Sequence, residues 1–164
     1  MYILFLGDSR ANEHHTLTVM HTLWMREHNR LAESLGNQHP NWTDEKLFNE
    51  ARRIVIAEYQ HIIYKEWLPN ILGVDYMKKY KLDPKLAGYT SDYRDGYYDP
   101  RLANEFAGAA FRFGHSLIPS TFKNSKSRQV INNMTWDEER DLKDTFNNPK
   151  PIETDIGKDV VFWT

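Results

Sequence analysis

The sequence contains no cysteine. A chain of this composition cannot form a disulfide, a thiolate metal site or an iron–sulfur cluster, and it has no cysteine nucleophile. It also lacks an excess of charge of either sign, because 21 Lys and Arg face 23 Asp and Glu for a formal net charge of −2. Proteins that grip nucleic acid through its phosphates need a basic surface, so this balance argues against nucleic acid as a partner.

Long apolar runs are absent as well. The longest run near the start, residues 2–6, has no basic flank before it and is shorter than the apolar core of a signal peptide. No other run approaches the length that crosses a bilayer. The sequence therefore predicts neither a signal peptide in this chain nor a membrane span. Two Asn-X-Thr sequons, at Asn41 and Asn133, suit a secreted glycoprotein.

What the sequence does contain is a high aromatic content and helical spacing. With 9 Tyr, 8 Phe and 5 Trp among 164 residues, the chain should fold or belong to something that folds. Apolar residues three and four apart predict a helix from Leu17 to Leu35, with Gly36 as its C-cap. A second helix is predicted from Thr43, its N-cap, to Trp67, shortly before Pro69.

The second half of the chain predicts less regular structure. A third helix is expected from Asp99-Pro100 to His115, and a short fourth one over residues 136–146. The glycine- and proline-bearing stretch 73–96 predicts an irregular connection. Since no stretch shows sustained strand alternation, the predicted fold class is all-α.

His115 is the first residue whose setting suggests chemistry. On the predicted helix, Phe111 and Gly108 lie one and two turns earlier on the same face. Small residues there would let a flat cofactor approach the backbone, and a neutral imidazole is a suitable axial ligand for haem iron. The alternative is a histidine packed at a helix end with its ring hydrogen-bonded to a carbonyl, and spacing alone leaves both possibilities open.

Arg10 and Glu13 stand three residues apart just ahead of the first helix. One interpretation is a capping segment in which Asp8, Ser9 or Asn12 caps, Glu13 meets the helix dipole and Arg10 pairs with an acid. The other is an active-site guanidinium at Arg10 that stabilises a developing oxyanion. Both interpretations use the same few residues.

Histidines at positions 14, 15, 21 and 28 raise the question of a metal site. His14, His21 and His28 are successively seven residues apart, which places their side chains about 10 Å from one another along a helix axis. That separation is too large for one ion, and the sequence has no histidine pair at i,i+4. The spacing therefore argues against a metal site at these histidines.

Four segments taken together resemble the animal haem peroxidase family, most of all its peroxidasin-type members. They are GDSRANE at 7–13, MHTLWMREHNR at 20–30, WLPNILG at 67–73 and FRFGHSLIP at 111–119, in the family's order. The likeness runs from Gly7 to about Pro119, with a weaker echo through Leu142 to Asp159. It implies a mostly helical oxidoreductase that contains haem b and consumes hydrogen peroxide.

The resemblance also implies roles for individual residues. His115 is similar to the proximal iron ligand and Arg10 to the distal catalytic arginine. Glu13 is similar to the glutamate that forms a covalent ester with a haem methyl. Arg112 matches the arginine that reaches a haem propionate.

Several parts of the family pattern are not in this sequence. The distal histidine, the aspartate of a second haem ester and the calcium-binding loop precede the GDSR motif in the family, whereas six residues precede Gly7 here. The asparagine that orients the proximal imidazole would follow the last residue. His14 stands where myeloperoxidase has the methionine of a third haem link, which excludes that bond. The expectation is a single haem peroxidase domain, residues 1–164, incomplete at both ends and thus an interior fragment.

Two functions follow as expectations. The first is a secreted, extracellular peroxidase that takes part in the response to oxidative stress. As part of a larger domain, it would reduce hydrogen peroxide and oxidise halide or small organic donors. The second is a non-catalytic helical remnant that binds haem or a partner and lacks the distal histidine.

Overall fold

A computed structural model describes residues 8–88, 101–125, 138–149 and 161–163. Gly7 and the Asn133 sequon lie outside these ranges. The described residues are mostly helical, as predicted, and the chain divides into two compact units: residues 1–26 with 108–164, and residues 27–107. No described helix is both long enough and apolar enough to cross a membrane.

The two long predicted helices are present. Helix α1 spans His15–Gln38 and helix α2 spans Asp44–Ile62. The hydroxyl of Thr43 accepts the Lys46 N–H and caps α2, as the sequence predicts. Gly36 is not a C-cap, because α1 continues through it. A Cβ at Gly36 would lie 3.6 Å from the Leu47 side chain, so this glycine lets α1 and α2 pack closely.

The predicted second helix is interrupted before Pro69. A π-helical turn, Ile63–Trp67, follows α2, and helix α3 then spans Leu68–Leu72. Proline lacks an N–H to donate, and starting a new helix with Pro69 in its first turn avoids that missing bond. Gly73, at φ 79°, ends α3 and precedes helix α4, Val74–Lys79.

The predicted third helix takes a different form. Helix α5 covers Asn104–Gly108, and a 3-10 helix covers Ala110–Leu117. Ala109 breaks the two apart with φ −130° and ψ −67°. The predicted start at Asp99-Pro100 lies outside the described residues.

A small antiparallel sheet, which the sequence did not predict, follows this 3-10 helix. Strand β1 (Thr121–Ser125) lies between β2 (Glu138–Asp141) and β3 (Val161–Trp163), and Phe122 pairs with Arg140. The predicted helix over residues 136–146 is therefore wrong. Its described part is β2 followed by a 3-10 turn, Leu142–Thr145.

Buried side chains are few in each unit. In the unit that contains both chain termini, the described buried residues are largely polar or small: Ala11, His15, Thr18, Thr22, Phe122 and Thr145. In the other unit they are Ala51 and Met77. Many large apolar side chains are exposed instead, among them Phe111, Phe113, Leu117 and Ile118 of the 3-10 helix and its end.

Candidate functional site

Arg10 lies in a 3-10 turn, Ser9–Asn12, that Asp8 caps. Asp8 Oδ1 accepts the Arg10 backbone N–H at 2.8 Å, and the guanidinium forks onto the same carboxylate, Nε to Oδ1 at 3.0 Å and Nη2 to Oδ2 at 2.8 Å. These bonds hold the pKa of the Asp8 carboxyl well below its usual value, and they raise the pKa of Arg10. The structure thus contains the cap and the ion pair that the sequence offered as one interpretation.

Glu13 ends the same turn with an exposed side chain. Its N–H donates to Arg10 O at 2.9 Å, and its carbonyl accepts the Asn147 N–H at 3.0 Å. The Glu13 charge adds to the rise in the pKa of Arg10, after the larger effect of Asp8. Arg10 and Glu13 are therefore brought together in one short turn whose backbone is fixed at both ends.

The turn that fixes Glu13 comprises residues 145–148, which we call the clamp turn. Asn147 adopts a left-handed φ of 51°, a conformation that asparagine tolerates better than most residues. The Asn148 carbonyl accepts a hydrogen bond from His15 Nε2 at 2.8 Å. Two successive residues of the clamp turn therefore hold the segment before α1, one through Glu13 and one through His15.

His15 is a site residue that the sequence argument missed. It is 3% exposed, and Thr18 and Thr22, on the same face of α1, are buried with it. Burial lowers the pKa of His15, with smaller contributions from the charges of Arg140 and His14, while the bond to Asn148 opposes them. The spacing 15, 18, 22 was a visible sign that His15 points into the protein rather than toward a metal.

His14 and His28 have partners within the protein. The ring Nδ1 of His14 lies 2.7 Å from Thr16 Oγ1, and it accepts the Leu17 N–H at 3.4 Å near the start of α1. His28 Nε2 lies 3.1 Å from the Phe48 carbonyl of α2. Within the described ranges no three His, Asp or Glu side chains form a metal-binding group.

His115 and Arg112 share a face of the 3-10 helix Ala110–Leu117. With three residues per turn, side chains at i and i+3 eclipse each other, so Arg112 stands directly one turn before His115. The predicted α-helical face, with Phe111 and Gly108 aligned with His115, is therefore wrong. The broken helix at Ala109 is the physical reason.

The surface around His115 can accommodate a flat apolar group. His115 and Arg112 are exposed, and Phe111 and Phe113 beside them are 57% and 48% exposed. Exposed aromatic rings next to an imidazole and a guanidinium offer apolar contact, a nitrogen ligand for iron and a partner for a carboxylate. This donor set fits haem. Arg10 and Glu13 belong to a separate turn of the same unit.

A cavity of about 320 Å³ in the described part of the chain contains none of these residues. It is lined by Ser120, Asp141, Leu142, Lys143 and Phe146. An exposed ion pair between Lys143 Nζ and Asp141 Oδ2, 2.9 Å apart, lies at its edge. This cavity is a feature of the sheet end and not of the predicted site.

Comparison with known proteins gives consistent matches. The family model for animal haem peroxidases matches residues 1–162. A chorion peroxidase of Aedes aegypti is 42% identical over 162 residues, which cover 96% of this chain and 19% of that protein. A peroxidasin homolog of Mus musculus is 49% identical over 116 residues, covering 68% of this chain and 7% of that protein.

A solved structure agrees with the sequence matches. Peroxidase A of Dictyostelium discoideum superposes with a TM-score of 0.72 at 33% identity, covering 93% of this chain and 26% of that one. The likeness therefore includes the fold. The chain spans about a fifth or less of the curated relatives described above.

Proposed function

Since this chain belongs to the animal haem peroxidase family, we propose that it contributes to a haem-dependent peroxidase that reduces hydrogen peroxide and oxidises halide or small organic donors. The observation that carries this proposal is the eclipsed pair of Arg112 and His115, exposed on one face of a 3-10 helix whose adjacent faces expose Phe111 and Phe113. On this face the imidazole would bind the central iron of a haem and the guanidinium would pair with a propionate at its edge.

We propose further that residues 1–164 form one part of a larger catalytic domain, incomplete at both ends. The small share of each relative that the chain covers supports this. So does the exposure of Leu117 and Ile118, because soluble domains seldom leave contiguous apolar surface uncovered. Calcium would then bind in the complete domain, outside this chain.

In this proposal each site residue has a separate task. Bound haem supplies the iron-centred redox chemistry by which peroxide is reduced and a donor oxidised. His115 would hold the iron through a ring nitrogen, and Arg112 would pair with a propionate. Glu13, whose backbone is held from both sides, would present its carboxylate for the covalent ester.

Arg10 would stabilise negative charge that develops on the departing peroxide oxygen. Asp8 occupies Nε and Nη2 of the guanidinium and so restricts its orientation. Nη1 makes no hydrogen bond with the described residues, which leaves a donor for an oxyanion. A planar guanidinium that is always charged suits this task, because it supplies charge without exchanging a proton.

The Asp8 pair also favours the second candidate, a non-catalytic remnant that binds haem or a partner. Because the Asp8 carboxylate partly neutralises the guanidinium, Arg10 would attract an oxyanion less strongly. Arg10 would then only stabilise the turn. The two candidates differ in whether Arg10 affects peroxide consumption.

A substitution at Arg10 separates the two. In the haem-loaded complete domain, Arg10→Lys keeps the charge and loses the fork, so peroxide consumption should slow, by up to about 10²–10³, while haem content is unchanged. Arg53→Lys is the matched control, since Arg53 forms an exposed bond to Glu50 at 2.7 Å in α2. If Arg10→Lys consumes peroxide as fast as the parent, Arg10 is a structural ion-pair residue.

We also propose that the protein is secreted and glycosylated. Relatives named for the chorion and for peroxidasin support an extracellular place. The sequons at Asn41 and Asn133 are consistent with it.

A further inference from the structure

The connection between α1 and α2 carries the triplet Asn41-Trp42-Thr43, which the proposed haem chemistry does not use. We propose that Asn41 is an N-glycan acceptor of this protein. The assignment rests on the proposed secretion, because N-glycans are added to chains that enter the secretory pathway.

Asn41 has the surroundings that a glycan needs. Its side chain is exposed and makes no hydrogen bond with the described residues. Its neighbours Pro40 and Thr43 are exposed too. A bulky sugar attached here would displace no packed side chain.

The middle residue of the triplet is turned toward the protein. Trp42 is half-buried, and its ring stacks on His39 with centroids 4.0 Å apart and planes inclined by 7°. Lys46 Nζ lies 4.3 Å from the Trp42 ring centre, a cation–π distance. Trp42 is thus held against the end of α1 and the first turn of α2, and Asn41 is left to face solvent.

The role of Thr43 in the folded protein bears on when the glycan can be attached. Its hydroxyl caps α2 by accepting the Lys46 N–H at 3.4 Å, and the Trp42 N–H closes a turn onto the His39 carbonyl at 2.9 Å. The Trp42 N–H and the Thr43 hydroxyl are therefore both engaged once α2 has formed. Attachment precedes the folding of this turn, and the glycan then remains on the surface.

The reaction needs one co-reactant, an oligosaccharide carried on a lipid pyrophosphate. A bond forms between Asn41 Nδ2 and the anomeric carbon of the first sugar. The bond from that carbon to the phosphate oxygen breaks, the pyrophosphate leaves with the electron pair, and Nδ2 loses one proton. No atom changes oxidation state.

Mass spectrometry of the secreted protein tests the assignment. The full chain is expressed in animal cells behind an added secretion signal, and PNGase F converts each glycan-bearing asparagine to aspartate. We expect aspartate at position 41 in the treated peptide. An unmodified asparagine at position 41 in the secreted protein overturns the proposal.

Variants give an independent reading by gel mobility. Asn41→Gln should migrate one glycan faster than the parent before PNGase F and equally afterwards. Thr43→Ser keeps the triplet and the hydroxyl, so its band should match the parent, whereas Thr43→Ala should lose the same glycan. Asn133→Gln is the matched control for the second sequon. Equal mobility of Asn41→Gln and its parent contradicts the proposal, and poor folding of a variant does not obscure the result because attachment comes first.

Expression without the added signal, in the protein's full natural sequence context, tests secretion separately. Occupied Asn41 behind the added signal, together with retention of the natural protein inside the cell, would refute the proposed secretion and leave the acceptor assignment standing. Peroxidase activity is not part of either reading.

Discussion

Replacing His15 tests whether residues far along the chain hold the turn that carries Arg10 and Glu13. His15 Nε2 lies 2.8 Å from the Asn148 carbonyl, and the Asn147 N–H donates to the Glu13 carbonyl at 3.0 Å. These two bonds join the start of α1 to the clamp turn. If they act together, loss of the first should loosen the second.

Two substitutions separate the bond from the volume of the ring. His15→Phe keeps a ring in a site that is 3% exposed and removes the donor, which leaves the Asn148 carbonyl without its partner. Asn148 is an exposed residue, so water can replace the lost donor, and the bond should contribute about 0.5–1.5 kcal/mol, a factor of about 2–13 in an opening equilibrium. His15→Gln can place an amide N–H near the position of Nε2, so the clamp turn should lose much less stability in this variant.

Native-state hydrogen exchange at the Asn147 amide measures this opening directly. Protection at Asn147 should fall about 2- to 13-fold in His15→Phe and little in His15→Gln, while the amides in the middle of α2 keep their protection. Unchanged protection of Asn147 in His15→Phe would show that the clamp turn does not depend on His15, and the reasoning would be refuted.

The burial of His15 predicts a dependence of stability on pH with a definite sign. Burial lowers the pKa of His15 in the folded protein below the value of about 6.5 for an unfolded histidine. The unfolded chain therefore binds a proton that the folded one resists. The stabilisation is fully present above about pH 6.5 and declines as the pH falls toward the folded pKa. His15→Gln should abolish this part of the pH dependence.

Two further predictions concern the proposed enzyme. Glu13→Gln in the peroxide-treated complete domain should make haem easier to remove by acid–acetone extraction, because the ester would be lost; complete extraction of haem from the parent would count against the ester. The 164 residues alone, supplied with haem, should oxidise a chromogenic donor no faster than free haem, since none of the four proposed site residues serves as a general acid–base group, which typically contributes about 10²–10⁴; turnover well above free haem that disappears in Arg10→Lys would show a self-sufficient enzyme.

The helices that the sequence predicted well are those whose apolar spacing and caps agree. Thr43 caps α2, and the three-and-four spacing from Leu17 to Leu35 lies within α1, His15–Gln38. Gly36 misled the prediction because a glycine can end a helix or permit close packing, and only the position of Leu47 decides between the two.

The sheet and the 3-10 helix could not be predicted from the residues of each segment alone. Strand β2 consists entirely of charged residues, Glu138 to Asp141, and it exists because β1 supplies backbone partners. The 3-10 helix Ala110–Leu117 has α-helical spacing in its sequence. The break at Ala109 and the tighter 3-10 turn change which residues share a face. The pairing of Arg112 with His115 follows from that change.

Residue type and spacing alone raise His115, Arg10 and Glu13 as candidates and leave an ordinary structural role open for each. The resemblance adds Arg112 and a role for every one of the four, but it does not identify the two partners that shape the first turn. Asp8 was one of three possible caps, and His15 was grouped with histidines that the structure places elsewhere. Their tasks depend on contacts across 133 residues or on side-chain geometry, which no local pattern contains.

The central claim, that His115 binds haem iron, is tested most directly by the absorption spectrum of the haem-loaded complete domain. The account predicts that His115→Ala loses the Soret band of protein-bound haem. His61→Ala, at an exposed histidine of α2, should retain it. A spectrum of His115→Ala that is unchanged from the parent would contradict the claim.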